Sequence, residues 1–204
     1  MERRTGCNVG EWIVARKRST KPVAEPGDIA SLRHVLVVGG TTSGWTALGA
    51  DLWAIRRQEL AKAVAHAGAM WLTLRPYEPG PSKADGEYRA EWMVDAREGC
   101  TVIVDPVADG RQRLLSAIEQ LRDSSVALID ETALTSALMS PAPCEPDLTI
   151  VLGPSIRLPP SLVWELAYSE IVFIDTAWED LAAAHVERAT DEFSRRHRRF
   201  GGIE

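Results

Sequence analysis

Two stretches of this sequence combine residue types that can hold a phosphate group. The first is Gly39-Gly40-Thr41-Thr42-Ser43-Gly44, which follows the apolar run Val35–Val38. A loop of glycines and hydroxyls that opens a helix can offer unpaired backbone N–H groups to an anion, and the helix dipole adds to the attraction. Thr41, Thr42 and Ser43 are therefore candidate phosphate contacts. The loop lacks the lysine of a Walker motif and the spacing of a dinucleotide fingerprint, so its residues alone leave a tight strand-to-helix turn equally open. The second stretch is Arg199-Phe200-Gly201-Gly202, preceded by Arg195, Arg196, His197 and Arg198. Arginine supplies a charged fork for phosphate oxygens, and glycine lets the backbone come close. The plain alternative is a solvated basic tail.

Hydrophobic patterning indicates the elements that would carry these residues. The stretch from Leu32 through Arg33 and His34 into the apolar run Val35–Val38 reads as a buried parallel strand that ends in the glycine loop. A helix is expected over Ala47–His66, with Leu52, Ile55, Leu60 and Val64 as its apolar stripe and Gly68 as its stop. Trp71–Leu74 reads as a second strand, which completes a βαβ unit and points to a parallel sheet with helices on its faces. Residues 75–99 are rich in proline and glycine and read as a loop with one short element. Strands are expected at Cys100–Val104 and Leu148–Leu152, and helices at Asp109–Leu121 and from Asp130 to Met139, the latter with Asp130 as N-cap. Val126–Ile129 is a short apolar segment. Trp164–Gly202 then reads as helix, strand, turn, helix and glycine tail, its strand at Ile171–Ile174.

Composition narrows the class. The chain has 204 residues, of which 45% are hydrophobic and 25% charged, enough for one sizeable core. The division expected is a basic arm over residues 1–30 and a single domain over 31–204. A net charge of -6 argues against nucleic acid as the partner. Cys7, Cys100 and Cys144 are widely spaced, suggesting neither a disulfide framework nor a zinc site and fitting a reducing cytoplasm. No apolar run reaches the roughly 18–20 residues needed to cross a bilayer, so no transmembrane segment is expected.

The closing stretch resembles the C-terminal part of the cis-prenyltransferases, the undecaprenyl diphosphate synthase family, in which a W-x-LAYSE-hydrophobic-F-x-D-xx-W run precedes a helix ending in RRFGG. Trp164, Leu166, Ala167, Tyr168, Ser169, Glu170, Phe173, Asp175, Trp178, Arg198, Arg199, Phe200, Gly201 and Gly202 match that pattern. The resemblance covers about Leu32–Leu74 and Cys100–Gly202. It implies an α/β fold with a mostly parallel central sheet flanked by helices, and a tunnel region shortened because residues 75–99 replace a long family segment. It also implies that Glu170 assists a metal, Mg2+, and that Arg199, Gly201 and Gly202 reach the diphosphate of isopentenyl diphosphate in a partner subunit.

The same resemblance exposes what the chain lacks. The family opens with H-V-x-x-x-M-D-G-N-x-R-W, whose aspartate organises magnesium and whose arginine holds phosphate. Aligned on His34, Val35 and Trp45, the aspartate position falls on Gly40 and the arginine position on Gly44. Of the family's R-T-S-G-E-x-R-L-S-N-F element, only Arg157 keeps its charge; alone it would be a solvated group, and within the resemblance it is a phosphate contact. Loss of an allylic diphosphate needs cations and donors already arranged around the leaving group, so these replacements bear directly on catalysis. The expectation is a non-catalytic accessory subunit that pairs with a catalytic cis-prenyltransferase homologue, which would hold most of the Mg2+. Its location would be cytoplasmic, or peripheral to a membrane through partner or product. Two alternatives stay open: a divergent active short-chain isoprenoid enzyme, and a scaffold module without prenyl chemistry.

Overall fold

In a computed structural model of the chain, the described residues are 31–78, 93–126, 128–153 and 157–200, with the side chains of 197–200 outside that description. The expected arm over 1–30, Gly201, Gly202 and the side chain of Arg199 lie outside the described residues.

Six strands form one sheet: β1 (His34–Val38), β2 (Trp71–Arg75), β3 (Met93–Arg97), β4 (Cys100–Val104), β5 (Leu148–Leu152) and β6 (Glu170–Ile174), in the order β3-β4-β2-β1-β5-β6. All neighbouring pairs are parallel except β3 with β4, an antiparallel edge hairpin. The central position of β1 explains its unbroken apolar run, because helices cover both faces and every residue of the strand is buried. The short element within residues 75–99 is β3.

Alternation along the strands separates two unlike faces. On one, Val35, Val37, Leu72, Leu74, Val102, Val104, Leu148 and Ile150 join a single large core. Helices α2 (Gly49–His66) and α5 (Ala183–Phe200) pack against each other and supply Leu60, Val64, Val186, Ala189 and Phe193 to that core. On the other face the apolar cluster is small, Leu36, Val38, Val151 and Leu162, and it lies beside buried His34, Thr73, Arg75 and Thr149. Helices α3 (Gly110–Asp123) and α4 (Glu131–Met139) pack on each other and line the clefts over this polar face. Asp109 and Asp130 cap them, accepting bonds from the N–H groups of Arg111 and Ala133. Among the described residues no helix is long and apolar enough to cross a membrane.

The structure corrects three expectations. The helix expected over Ala47–His66 is α2, which starts at Gly49 with φ +74°, and a separate short helix, α1 (Thr42–Ala47), precedes it where only a loop was expected. The expected stripe is half right: Leu52 and Ile55 are 59% and 51% exposed, while Trp53, Arg57, Leu60, Ala61 and Val64 form the buried face. Positions 53, 57, 60 and 64 fall on one helical stripe, and Leu52 and Ile55 lie off it, with bulky Trp53 in the inward position. The helix expected at the start of Trp164–Gly202 is a single 3-10 turn, Glu165–Ala167.

Candidate functional site

In a parallel α/β sheet, ligands bind beyond the carboxyl ends of the strands where the chain order reverses direction. Here that point lies between β1 and β5, since β2 and β4 extend the sheet on one side of β1 while β5 and β6 extend it on the other. The loop after β1, the start of the loop after β2 and the loop after β5 meet there. The Tyr77 N–H donates to the carbonyl of Gly40 at 2.9 Å, and its hydroxyl donates to the carbonyl of Arg157 at 2.9 Å. The fold therefore assembles Gly40, Thr41, Thr42, Ser43 and Arg157, which lie far apart in sequence, at one edge of the sheet.

The geometry at Gly40 leaves no room for a side chain. Its φ is +69°, and a Cβ there would stand 2.8 Å from Trp178 Cβ and 2.9 Å from Trp178 Cγ. Trp178 belongs to a buried trio with Trp45 and Trp53, their ring centroids 5.0–5.7 Å apart. Trp45 Nε1 donates to the carbonyl of Gly39, and Arg56 binds the carbonyls of Trp178 and Glu179 at 2.5 and 2.9 Å, so the indole behind Gly40 is held from two sides. Such aromatic contacts add stability beyond buried area.

The hydroxyls of Thr41 and Ser43 are engaged within the loop. Thr41 Oγ1 accepts from the N–H of Gly44 at 3.0 Å and lies 2.9 Å from Ser43 Oγ, capping α1. One backbone donor expected to face a phosphate is thus already used. Thr41 forms an isolated backbone bridge with Glu78, and an acidic side chain borders the loop, Glu179 Oε1 lying 3.2 Å from where a Gly44 Cβ would be. The side chain of Arg157 is exposed. Glu170 is not brought to this edge. It heads β6, paired with Leu148 at the start of β5, and its Oε2 lies 3.9 Å from Arg196 Nη1.

Sequence reasoning missed a second constellation, on the polar face of the sheet. Arg75 and Arg113 share two carboxylates: Asp105 Oδ2 accepts from their Nε atoms at 3.1 and 3.0 Å, and Glu165 Oε1 accepts from their Nη1 atoms at 2.7 and 2.8 Å. All four are buried. Burial alone would push the Glu165 carboxyl up, but the two guanidinium groups outweigh it and hold it below the usual carboxylate range. Beside this cluster is a water-sized chamber of about 30 Å³, lined in part by His34, Thr73, Arg75 and Asp105. His34 Nδ1 lies 2.9 Å from the carbonyl of Cys144, which can only accept, so Nδ1 carries the proton and Nε2 accepts from Thr73 Oγ1 at 2.8 Å. The sequence signal for the cluster was charge at the ends of apolar strands, Arg75 after Leu74 and Asp105 after Val104. Pairing across 30 to 90 residues is not legible in it.

The family described as "Putative undecaprenyl diphosphate synthase" matches residues 88–201, just over half of the chain. The chain belongs to the cis-prenyltransferase family. The matched region begins after β2, so the Gly39–Gly44 loop lies outside it. Among curated relatives, the isoprenyl transferase of Bacillus subtilis (strain 168) is 38% identical over 100 residues, 46% of this chain and 38% of that protein. The isoprenyl transferase of Neisseria gonorrhoeae (strain ATCC 700825 / FA 1090) is 34% identical over 116 residues, 57% of this chain and 47% of that one. The ditrans,polycis-undecaprenyl-diphosphate synthase ((2E,6E)-farnesyl-diphosphate specific) of Lactiplantibacillus plantarum (strain ATCC BAA-793 / NCIMB 8826 / WCFS1) is 39% identical over 91 residues, 42% and 35% of the two chains. These matches span less than half of each relative's length. In fold, the chain is similar to a probable undecaprenyl diphosphate synthase from Campylobacter jejuni, with a TM-score of 0.54, 17% identity and coverage of 84% of this chain and 99% of that one.

Within this family frame, the described residues do not fit a magnesium site. Position 40 carries no carboxylate and has no space for one, and Glu170 sits at the opposite edge of the sheet. Among the described residues no group of three or more His, Cys, Asp or Glu side chains is arranged to hold a metal ion. A hard dication needs several oxygen ligands converging at short range, and this edge offers glycine backbone and indole instead.

Proposed function

We propose that this chain is a non-catalytic accessory subunit of a heteromeric cis-prenyltransferase, which condenses isopentenyl diphosphate with an allylic diphosphate. One observation carries the reading: Gly40, which the resemblance sets against the family's metal-organising aspartate, has φ +69° and is packed against Trp178, leaving no space for a carboxylate side chain. Departure of a diphosphate requires preorganised positive charge, and the carboxylate of Glu179 lies beside this loop. The catalytic partner would hold the Mg2+.

The position of α5 supports a role for the tail in trans. Arg196 lies beside Glu170, so α5 ends near the strand-start edge, whereas Gly40 follows the strand-end edge. Five-residue strands separate the two edges by about 16 Å. The tail would thus serve another subunit's diphosphate through Arg199, Gly201 and Gly202. The partner-facing surface would be edge strand β6 and the turn before it, where Val163, Leu166, Tyr168 and Phe173 are exposed.

Co-expression with a homologue that retains D-G-N-x-R-W tests the proposal. The isolated chain should give no turnover with isopentenyl and farnesyl diphosphates, and the complex should be active. Arg199→Ala or Gly201→Ala in this chain should lower the activity of the complex at least about tenfold, the order expected for one lost charge-assisted phosphate contact. Turnover by the isolated chain would instead identify a divergent active enzyme. An active complex indifferent to both substitutions would remove the tail mechanism, and absence of any complex would leave a scaffold.

A further inference from the structure

Glu170 invites a role different from the one its family position implies. It is the first residue of β6, and its base is fixed: its N–H donates to the carbonyl of Asp147 at 3.0 Å, while Ser169 Oγ lies 2.6 Å from Thr149 Oγ1. Asp147 itself accepts from the N–H groups of Arg33 and His34, which ties this corner to the start of β1. Opposite it, the buried stripe of α5 runs through Val186, Ala189 and Phe193. Among the described side chains Phe193 is the last fully buried one of α5. Beyond it, Arg196 reaches from the helix to the sheet, its Nη1 3.9 Å from Glu170 Oε2. Its guanidinium lies between Glu192, one turn back on the same helix, and Glu170 on β6. The Glu192 pair orients Arg196 along the helix, so that its reach to Glu170 crosses from helix to sheet.

We infer that Glu170 is a positioning residue which, through Arg196, fixes the last turns of α5 against β6 and so sets the direction in which the chain leaves the domain. The inference deepens the proposed function, on which its consequence for a partner's diphosphate site rests; the anchoring itself does not depend on a partner. Both side chains are partly exposed, so the pair is a modest clamp rather than a structural necessity. A modest clamp suits this place, because it orders the root of the tail without being needed to fold the domain.

Charge exchange separates an anchor from a metal ligand. Glu170→Arg, Arg196→Glu and the combined exchange, all made with Glu192→Gln so that no acid on the helix opposes residue 196, are compared with the Glu192→Gln chain, first alone, by amide hydrogen exchange over the last two turns of α5. Each single substitution should speed exchange about threefold to fivefold, and the combined exchange should restore it. Singles that leave exchange unchanged, or a combined variant no slower than the singles, overturn the anchor. In the co-expressed complex, each single substitution should raise KM for isopentenyl diphosphate about threefold to fivefold with kcat and Mg2+ dependence unchanged, again restored by the exchange. A metal ligand would show loss of kcat and a shifted Mg2+ requirement that the exchange does not repair, which also overturns the inference. If the wild-type complex shows no turnover, the accessory-subunit reading falls, and the hydrogen-exchange comparison still decides the anchor.

Discussion

At the scale of single residues, Gly40 and His34 show how local physics constrains what this chain can do. Restoring the family's carboxylate with Gly40→Asp should not restore chemistry. The new Cβ would meet Trp178 at 2.8 Å in a left-handed backbone conformation, so the substitution should cost about 2–4 kcal/mol in urea denaturation and yield no turnover. Turnover by the isolated variant would refute the view that the site has no space for the carboxylate. His34 makes the fold sensitive to acid. Burial lowers its pKa from 6.5 to about 4, so the unfolded chain binds a proton at a pH where the folded chain does not. Its contribution to stability is fully present above pH 6.5 and is lost as the pH falls towards 4, amounting to about 3 kcal/mol by linkage. Denaturation midpoints measured between pH 7 and 4 should show this slope, and His34→Gln should flatten it.

At the scale of elements, two helices and one charge cluster decide which surfaces are buried. The inward face of α2 runs through Trp53, Leu60 and Val64, and Leu52 faces water. Leu52→Glu should therefore change stability by less than about 0.5 kcal/mol, whereas Leu60→Ala should cost about 2–5 kcal/mol. Equal effects from thermal melts of the two variants would contradict the assigned face. Glu165 joins η-turn to sheet and helix by receiving both Arg75 and Arg113 in a buried setting. Glu165→Ala leaves two guanidinium groups short of a counter-charge and should destabilise the fold by about 3–5 kcal/mol, read as a drop in denaturant midpoint. Its position one residue before exposed Leu166 ties the conformation of the β6 approach to this cluster.

At the scale of the whole molecule, the sheet has two unlike edges and two unlike faces. Edge strand β3 is short and carries Asp95 and Arg97, which discourage further pairing. Edge strand β6 instead exposes Phe173 and lies next to exposed Tyr168. A Phe173→Glu substitution should leave the melting temperature of the isolated chain nearly unchanged and abolish assembly with the catalytic homologue in size-exclusion chromatography. An intact complex would move the partner surface elsewhere. The loops after β1 and β5 and the end of α5 lie at opposite ends of the strands, the arrangement on which the proposed role of the tail in another subunit rests.

The sequence alone determined the α/β class, the parallel βαβ core and most strand positions, because a buried parallel strand must be continuously apolar and its helices must carry a helical period. It also carried the family resemblance through Trp164–Gly202, since that is a matter of residue identity in order. Tertiary structure decided which face of α2 is buried, because the helix carries apolar residues on more than one face and packing against the sheet and α5 selects one. It placed Glu170 away from Gly40 and beside Arg196, and it built the Arg75–Asp105–Arg113–Glu165 cluster. Those outcomes depend on distances between residues far apart in the chain, and no local periodicity encodes them.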